Sequence, residues 1–177
     1  SGYVYCDQFY KEVVTLKEQE LKIIQTAIIN ELEGYEFYKM ANEKTTDPSV
    51  KEAFLTLAEE ERKHIEWLKE LFEKVRDSEE DVLKLSMSDH PPSPNIFQWE
   101  NLDRTSAGLA VSVFGIGIQM ERMSIEFYEN AAKRSEITAA RTLFSTLAKW
   151  EQVHLDMFSR EYDKLQNTWW VDQGFAP

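Results

Sequence analysis

The chain has 177 residues, enough for one domain with a sizeable hydrophobic core, and a formal net charge of −12 at pH 7. This acidic balance argues against nucleic acid and anionic membranes as partners, because both require a basic surface. The single cysteine, Cys6, excludes an internal disulfide framework and a cysteine-rich metal site, and with no signal-peptide pattern at the N-terminus the cytoplasm is the expected location.

The first two predicted helices form a hairpin. Apolar residues recur with the 3.6-residue period of an α-helix through this part of the chain. The first helix is predicted to begin after Thr15, where Thr15 and Glu18 form a capping-box pattern, and to end near Lys44. The second is predicted over residues 48–77, with Asp47 as its N-cap and a proline in its first position.

A second hairpin follows a long, proline-containing connection at residues 78–104. A short helix is a candidate within this connection at residues 81–85. The third helix is predicted over about residues 105–133 and the fourth over about residues 136–165. Residues 167–177 form an aromatic tail that is expected to pack on the bundle without regular structure.

The order of short and long connections predicts the fold class. Short turns make neighbouring helices antiparallel, whereas a long crossover lets the second hairpin lie beside the first. We therefore predict an all-α fold, a ferritin-like antiparallel four-helix bundle with a long crossover between helices 2 and 3. A single domain over residues 1–177 would contain hairpins at 15–77 and 105–166, the crossover at 78–104 and the aromatic tail at 167–177.

An internal repeat relates the two hairpins. Tyr128 follows Tyr38 by 90 residues, and each ends a Glu-Phe-Tyr segment. The same offset separates the Phe-x-Thr-Leu-Ala segments that begin at Phe54 and Phe144, with no gap in between. This constant register predicts an internal duplication, in which the two halves face each other across a pseudo-twofold axis.

Six possible metal ligands recur in this repeat, as two isolated glutamates and two Glu-x-x-His motifs. They are Glu31, Glu61, His64, Glu121, Glu151 and His154. All lie within apolar stripes, so four carboxylates are predicted to point into the core, where an unpaired carboxylate costs several kcal/mol or becomes protonated. The inner stripes carry no lysine or arginine nearby, whereas two divalent cations with neutral histidine ligands would balance the charge.

The spacing of these residues matches a known type of metal site. Residues i and i+3 share a helix face, and one Glu from each of two helices plus Glu-x-x-His from the other two is the pattern of di-iron and di-manganese bundles. The alternatives are a solvated helix turn for any single motif and a buried ionic network for the full set. Carboxylate and imidazole ligands without thiolate favour two iron ions per chain, with manganese second.

Two tyrosines and two further positions lie next to the candidate ligands. Tyr38 and Tyr128 follow the isolated glutamates by seven residues, so their hydroxyls are candidates to hydrogen-bond ligand carboxylates or to supply an electron; core packing is the alternative. Glu60 and Trp150 each precede a Glu-x-x-His motif. Because an indole cannot accept a hydrogen bond, support of the two histidines from this position is predicted to be unequal. His90, in the crossover, is assigned no role.

Four segments resemble the rubrerythrin-type branch of the ferritin-like superfamily, and the similarity extends over about residues 15–165. They are Glu31–Tyr38, Glu61–His64, Glu121–Tyr128 and Glu151–His154. The resemblance implies that the glutamates of the two motifs bridge the metals, that the isolated glutamates are terminal ligands and that each histidine binds one metal. It also implies a di-iron enzyme of oxidative-stress defence that reduces hydrogen peroxide or dioxygen with an external electron donor.

Two features depart from that family. The sequence has none of the C-x-x-C pairs of a rubredoxin domain, and an additional family glutamate one turn after the third-helix ligand is replaced by Ser124, with Gly34 as its counterpart. The symmetric set of six ligands is similar to the ferroxidase centre of bacterioferritin. Ferroxidase or iron-handling activity and a non-catalytic, metal-stabilised sensor or interaction module are therefore alternatives to a peroxidase.

The first half of the third helix is apolar on more than one face, which predicts burial on all sides. Its apolar residues are Leu109, Val111, Val113, Phe114, Ile116 and Ile118. Either the tail, through Trp169, Trp170 and Phe175, or a second subunit would cover it. We favour a homodimer.

Overall fold

Four helices make up the residues that the computed structural model describes, which are 2–46, 48–77 and 107–175. They are α1 (Gly2–Lys44), α2 (Pro48–Asp77), α3 (Ala107–Arg134) and α4 (Thr138–Asp172). Within these ranges there is no strand, and no helix is long and apolar enough to cross a membrane. The all-α prediction is confirmed. The predicted crossover, its short helix at 81–85 and the Asp47 N-cap lie outside the described residues.

Two predicted helix ends are wrong. α1 is continuous from Gly2 and does not begin after Thr15, so the Thr15–Glu18 pattern lies inside the helix. A capping box indicates a helix start only where no preceding turn supplies hydrogen-bond acceptors. Likewise α4 runs to Asp172, and most of the predicted irregular tail is helical. Gly174, with φ of 75°, adopts the left-handed conformation that ends helices and stops α4 there.

Crossed contacts between the hairpins define the topology. Tyr38 on α1 hydrogen-bonds Glu121 on α3, and Tyr128 on α3 hydrogen-bonds Glu31 on α1. A later α1 residue therefore meets an earlier α3 residue and the reverse, so these two helices are antiparallel. α2 and α4 are antiparallel as well, because Glu60 lies beside His154 and His64 lies beside Glu151. Since each hairpin is also antiparallel, α2 and α3 run in the same direction, as a long crossover requires, and the ferritin-like bundle is confirmed.

Two apolar clusters fill the bundle on either side of its middle. The internal repeat relates them, because residues of one cluster correspond to residues 90 positions away in the other. The Tyr38 cluster includes Tyr38, Ala41, Phe54, Leu57, Phe114 and Phe158. The Tyr128 cluster includes Tyr128, Ala131, Phe144, Leu147, Ile24 and Leu68. The geometry agrees with the predicted duplication: the Tyr38 and Phe54 rings stack with centroids 6.4 Å apart, and those of Tyr128 and Phe144 with centroids 6.1 Å apart.

The apolar half of α3 packs mainly against α4. A Cβ on Gly117 would lie 3.2 Å from the ring of Phe158, so this glycine permits close approach of the two helices. Within the single chain Ile116 is 51% exposed, so its predicted burial would need a second subunit and stays a prediction; Leu109 lies outside the described side chains. Trp170 and Phe175 contact each other, and they are 48% and 67% exposed.

Candidate metal centre

The six predicted ligands come together in the middle of the bundle, between the two apolar clusters. Each is at most 4% exposed. Their donor atoms form two groups, and within each group all atoms lie within 4.8 Å of one another. The His64 group contains Glu31, Glu61, His64 and Glu151, and the His154 group contains Glu61, Glu121, Glu151 and His154. Glu61 and Glu151 belong to both groups, and we refer to them as the shared carboxylates.

Each histidine directs Nδ1 at three carboxylates. His64 Nδ1 lies 3.1 Å from Glu31 Oε2, 3.1 Å from Glu151 Oε1 and 3.4 Å from Glu61 Oε2. His154 Nδ1 lies 3.4 Å from Glu151 Oε2 and 3.7 Å from both Glu61 Oε1 and Glu121 Oε1. The i, i+3 spacing within each motif, together with the antiparallel pairing of α2 and α4, produces this convergence.

Both tyrosines contact the site, each from the other hairpin. The Tyr38 hydroxyl donates a hydrogen bond to Glu121, and the Tyr128 hydroxyl donates one to Glu31. Burial, reinforced by these carboxylates, raises the pKa of both tyrosines well above the usual value, so the hydroxyls stay protonated and remain donors. Their contribution is to orient the two unshared glutamates.

The outer faces of the two histidines differ. His154 Nε2 lies 2.6 Å from the Glu60 carboxylate, which is itself buried. At the equivalent position of the repeat stands Trp150, whose ring lies edge-on to His64 with centroids 5.5 Å apart. Neither His64 Nε2 nor Trp150 Nε1 has a hydrogen-bond partner among the described residues. The inequality predicted from Glu60 and Trp150 is therefore present.

Protons balance the charge of the carboxylates when no cation is bound. Burial and the charge of Glu151 raise the pKa of Glu121 to about 8, and burial with the charges of neighbouring glutamates raises that of Glu61 well above its usual value. Burial also favours a high pKa for Glu151, but the adjacent Glu121 carboxyl and the two histidines, with Nδ1 of His154 at 3.4 Å and of His64 at 3.1 Å, hold it well below its usual value. Surrounding carboxylates raise the pKa of both histidines despite their burial.

The donor set fits a pair of cations. Two buried atoms that point into the cluster, His154 Nδ1 and Glu151 Oε1, have no well-formed hydrogen bond in the described part of the chain. A buried polar atom without a partner is costly, and coordination to a cation would satisfy both. No lysine or arginine within the described ranges forms an ion pair with any of the six residues. Carboxylates with imidazoles suit iron or manganese. Metal binding itself remains a prediction.

One buried carboxylate near the bundle end was not foreseen. Glu20 accepts hydrogen bonds from Ser135 Oγ at 2.9 Å and from the Glu136 amide at 2.6 Å, and so fixes the turn between α3 and α4. Its position one turn before Ile24 on the inner stripe of α1 was the available signal. Glu60 was noted beside the motif, but its bond to His154 across the bundle was not predicted.

Comparisons with known proteins agree with this arrangement. A family model described as Rubrerythrin matches residues 22–162, a segment that contains all six residues. Among solved structures, a hypothetical protein from Pyrococcus furiosus superposes with a TM-score of 0.63 and 24% identity, covering 84% of this chain and 90% of that chain. At that identity the likeness shows the fold alone. No curated protein matches the chain.

Proposed function

Because the chain belongs to the rubrerythrin family, we propose that it is a non-haem di-iron oxidoreductase that reduces hydrogen peroxide or dioxygen. The observation that supports this proposal is the pair of buried donor groups joined by the shared carboxylates, Glu61 and Glu151. Such groups would hold two irons side by side, with manganese as the second choice. An external electron donor would restore the reduced state after each turnover, in defence against oxidative stress.

The residues of the chain would bind and orient the metals and limit access to them. Two adjacent irons, once bound, would supply two electrons together, as reduction of a peroxide bond to water requires. Tyr38 and Tyr128 hold the two unshared glutamates through hydrogen bonds from the opposite hairpin. The Tyr38 and Tyr128 clusters close the bundle on both sides of the site, and their buried aromatic side chains exclude bulk water.

Anaerobic titration with ferrous iron, followed by rapid mixing with an oxidant, tests the proposal. We expect two irons per chain and a near-ultraviolet absorption of oxidised iron that develops faster with hydrogen peroxide than with dioxygen. The matched control is Glu61→Ala/Glu151→Ala, which removes both shared carboxylates and should bind no iron pair; circular dichroism checks that it still folds. An equal or slower reaction with peroxide contradicts peroxide reduction, and absence of iron binding contradicts the site itself.

Ferroxidase or iron-handling activity is the second candidate. It is favoured by the symmetric ligand set, in which Gly34 and Ser124 stand where a further carboxylate would lie. A Cβ on Gly34 would lie 3.6 Å from the Glu61 side chain, which shows that this position borders the site. Size-exclusion chromatography separates the two candidates, since storage needs a shell of many subunits. Iron binding with no reaction towards either oxidant would instead indicate a sensor or interaction module.

The same proposal includes a cytoplasmic homodimer. One side of α1 exposes Ile29, Leu32 and Met40: Ile29 and Leu32 are neighbours on the helix surface, and Met40 lies about two turns further along the same side. Burial of these apolar side chains against a second copy would stabilise a dimer. Light scattering at micromolar concentration tests this point, and a monomer there contradicts it.

A further inference from the structure

We propose that the two metal positions are unequal, and that the His154 position fills first and binds its ion more tightly than the His64 position. Glu60 is the positioning residue responsible, because it acts on the metal through His154, whereas Trp150 at the equivalent position supplies no acceptor. The inference rests on the two-metal site proposed above. It concerns the order and strength of binding, which neither the ligand set nor the repeat determines.

At the His154 position, the imidazole is already oriented for a metal. Nδ1 points into the cluster, while Nε2 lies 2.6 Å from Glu60 Oε2. An imidazole that binds a cation through Nδ1 carries its proton on Nε2, and Glu60 accepts that proton in a hydrogen bond. The Glu60 carboxylate therefore favours the tautomer that can bind a metal, fixes the ring orientation and makes Nδ1 a stronger metal ligand.

At the His64 position, the corresponding contact is missing. His64 Nδ1 also faces the cluster, but Nε2 finds no acceptor in the described ranges, and the neighbouring Trp150 Nε1 is likewise unpaired. An indole nitrogen can only donate. When Nδ1 of His64 binds a cation, the proton on Nε2 would have no acceptor among the described residues, and the ring would gain no electrostatic support.

The ligands of the two positions are closely matched. Behind them there is one further difference: the ring centroids of His64 and Trp67 lie 5.6 Å apart, whereas the repeat has Met157 at the position equivalent to Trp67. Each group contains both shared carboxylates and one unshared glutamate, and each unshared glutamate accepts a hydrogen bond from a tyrosine hydroxyl. Both histidines are at most 1% exposed. Loss of a partner behind a metal ligand typically weakens metal affinity by roughly 10–100-fold. We expect a difference of that size between the two dissociation constants.

Titration of the metal-free protein with Mn²⁺ tests the inference, with binding measured by calorimetry and by electron paramagnetic resonance. The first equivalent should give the spectrum of an isolated ion and the second that of a coupled pair, with dissociation constants that differ by roughly 10–100-fold. Glu60→Leu should weaken the first step and bring the two constants together, whereas Glu60→Gln, which keeps an acceptor oxygen, should recover part of the difference. Trp150→Phe, which removes the indole N–H without adding an acceptor, is the matched control and should preserve it.

Single-histidine variants identify which position is the tighter one and resolve the case in which the two steps merge. His64→Ala leaves the His154 position and should bind one Mn²⁺ roughly 10–100-fold more tightly than His154→Ala does. Equal affinities in these variants, or two equal steps unaffected by Glu60→Leu, overturn the inference and leave the two-metal site standing. Failure of the wild-type chain to bind Mn²⁺ and Fe²⁺ overturns the proposed function together with the inference.

Discussion

Glu61 and Glu151 occupy equivalent positions of the two hairpins, but their carboxylates differ in charge in the metal-free protein. The pKa of Glu61 is raised by burial and neighbouring charge, whereas that of Glu151 is lowered by hydrogen bonds despite its burial. Glu121 contributes most to lowering the pKa of Glu151, and the two histidines add to this because they lie closer to Glu151 than to Glu61. His64 Nδ1 lies 3.1 Å from Glu151 but 3.4 Å from Glu61, and His154 Nδ1 lies 3.4 Å and 3.7 Å from them. In a crowded cluster, equivalence of position does not give equivalence of charge.

Raising the pH should have the largest effect on this difference between Glu61 and Glu151, because it removes the protons that make their charges unequal. Glu121 and both histidines have raised pKa values when folded, so between about pH 5 and pH 9 the folded state binds more protons than the unfolded state. Stability therefore falls as pH rises, and the shift of Glu121 alone accounts for roughly 4 kcal/mol of that fall. Urea denaturation of the metal-free protein measures this change, and saturation with Mn²⁺ should reduce it. A metal-free protein whose stability rises from pH 6 to pH 9 contradicts the assignment.

Substitution of one shared carboxylate at a time sharpens the comparison. Glu151→Gln removes the ionised member and leaves each protonated histidine with one carboxylate charge fewer nearby, so it should destabilise the metal-free protein by roughly 3 kcal/mol at pH 7. Glu61→Gln resembles the protonated carboxyl already present and should cost about 1 kcal/mol or less. Chemical denaturation of both variants gives the two values. Equal losses would show that the proton is not held on Glu61.

Removal of the tyrosine hydroxyls tests a feature that the two hairpins share, namely the hydrogen bond from a tyrosine of one hairpin to a glutamate of the other. Tyr38→Phe and Tyr128→Phe each leave a buried glutamate without its donor, at a cost of roughly 1–3 kcal/mol. The two losses should agree within about 1 kcal/mol, because the repeat relates the two hydrogen bonds. Thermal denaturation provides the comparison. One large loss beside one near zero argues against the pseudo-twofold arrangement of these contacts.

The smallest expected effect concerns Gly34, the counterpart of Ser124. A Cβ at Gly34 would meet Glu61 at 3.6 Å, an ordinary van der Waals distance. Gly34→Ala should therefore stabilise the protein by roughly 0.5–1 kcal/mol through higher helix propensity, with no change in metal stoichiometry. The melting temperature and a Mn²⁺ titration report the two quantities. A clear loss of stability would mean that the Glu61 side chain needs this space.

The fold and the grouping of the candidate ligands could be predicted from the sequence because two periodicities reinforce each other. The helical period placed each glutamate and histidine on an inner face, and the constant offset of 90 residues between Glu31 and Glu121 related the two hairpins. The crossed bonds of Tyr38 and Tyr128 follow from that same symmetry. Whether the grouped residues bind metal is a question for the titrations.

Helix ends and proton positions could not be predicted in the same way. Thr15 has the residues of a helix start, but a preceding turn of α1 already supplies its backbone partner. The tail reads as irregular because of its aromatic residues, yet the backbone remains helical until Gly174. The difference between Glu61 and Glu151 depends on how each interacts with its neighbouring glutamate and on a few tenths of an ångström in the distances to the histidines, which no residue pattern contains.

The division of the ligands between the hairpins also has a kinetic consequence. Each donor group takes three side chains from one hairpin and the fourth from the other. Contacts within a hairpin are local in sequence and form rapidly, whereas the docking of one hairpin on the other must wait for closure of the long connection. A complete set of ligands therefore exists only after the two hairpins have docked. During refolding, metal uptake would follow helix formation and would report the docking step.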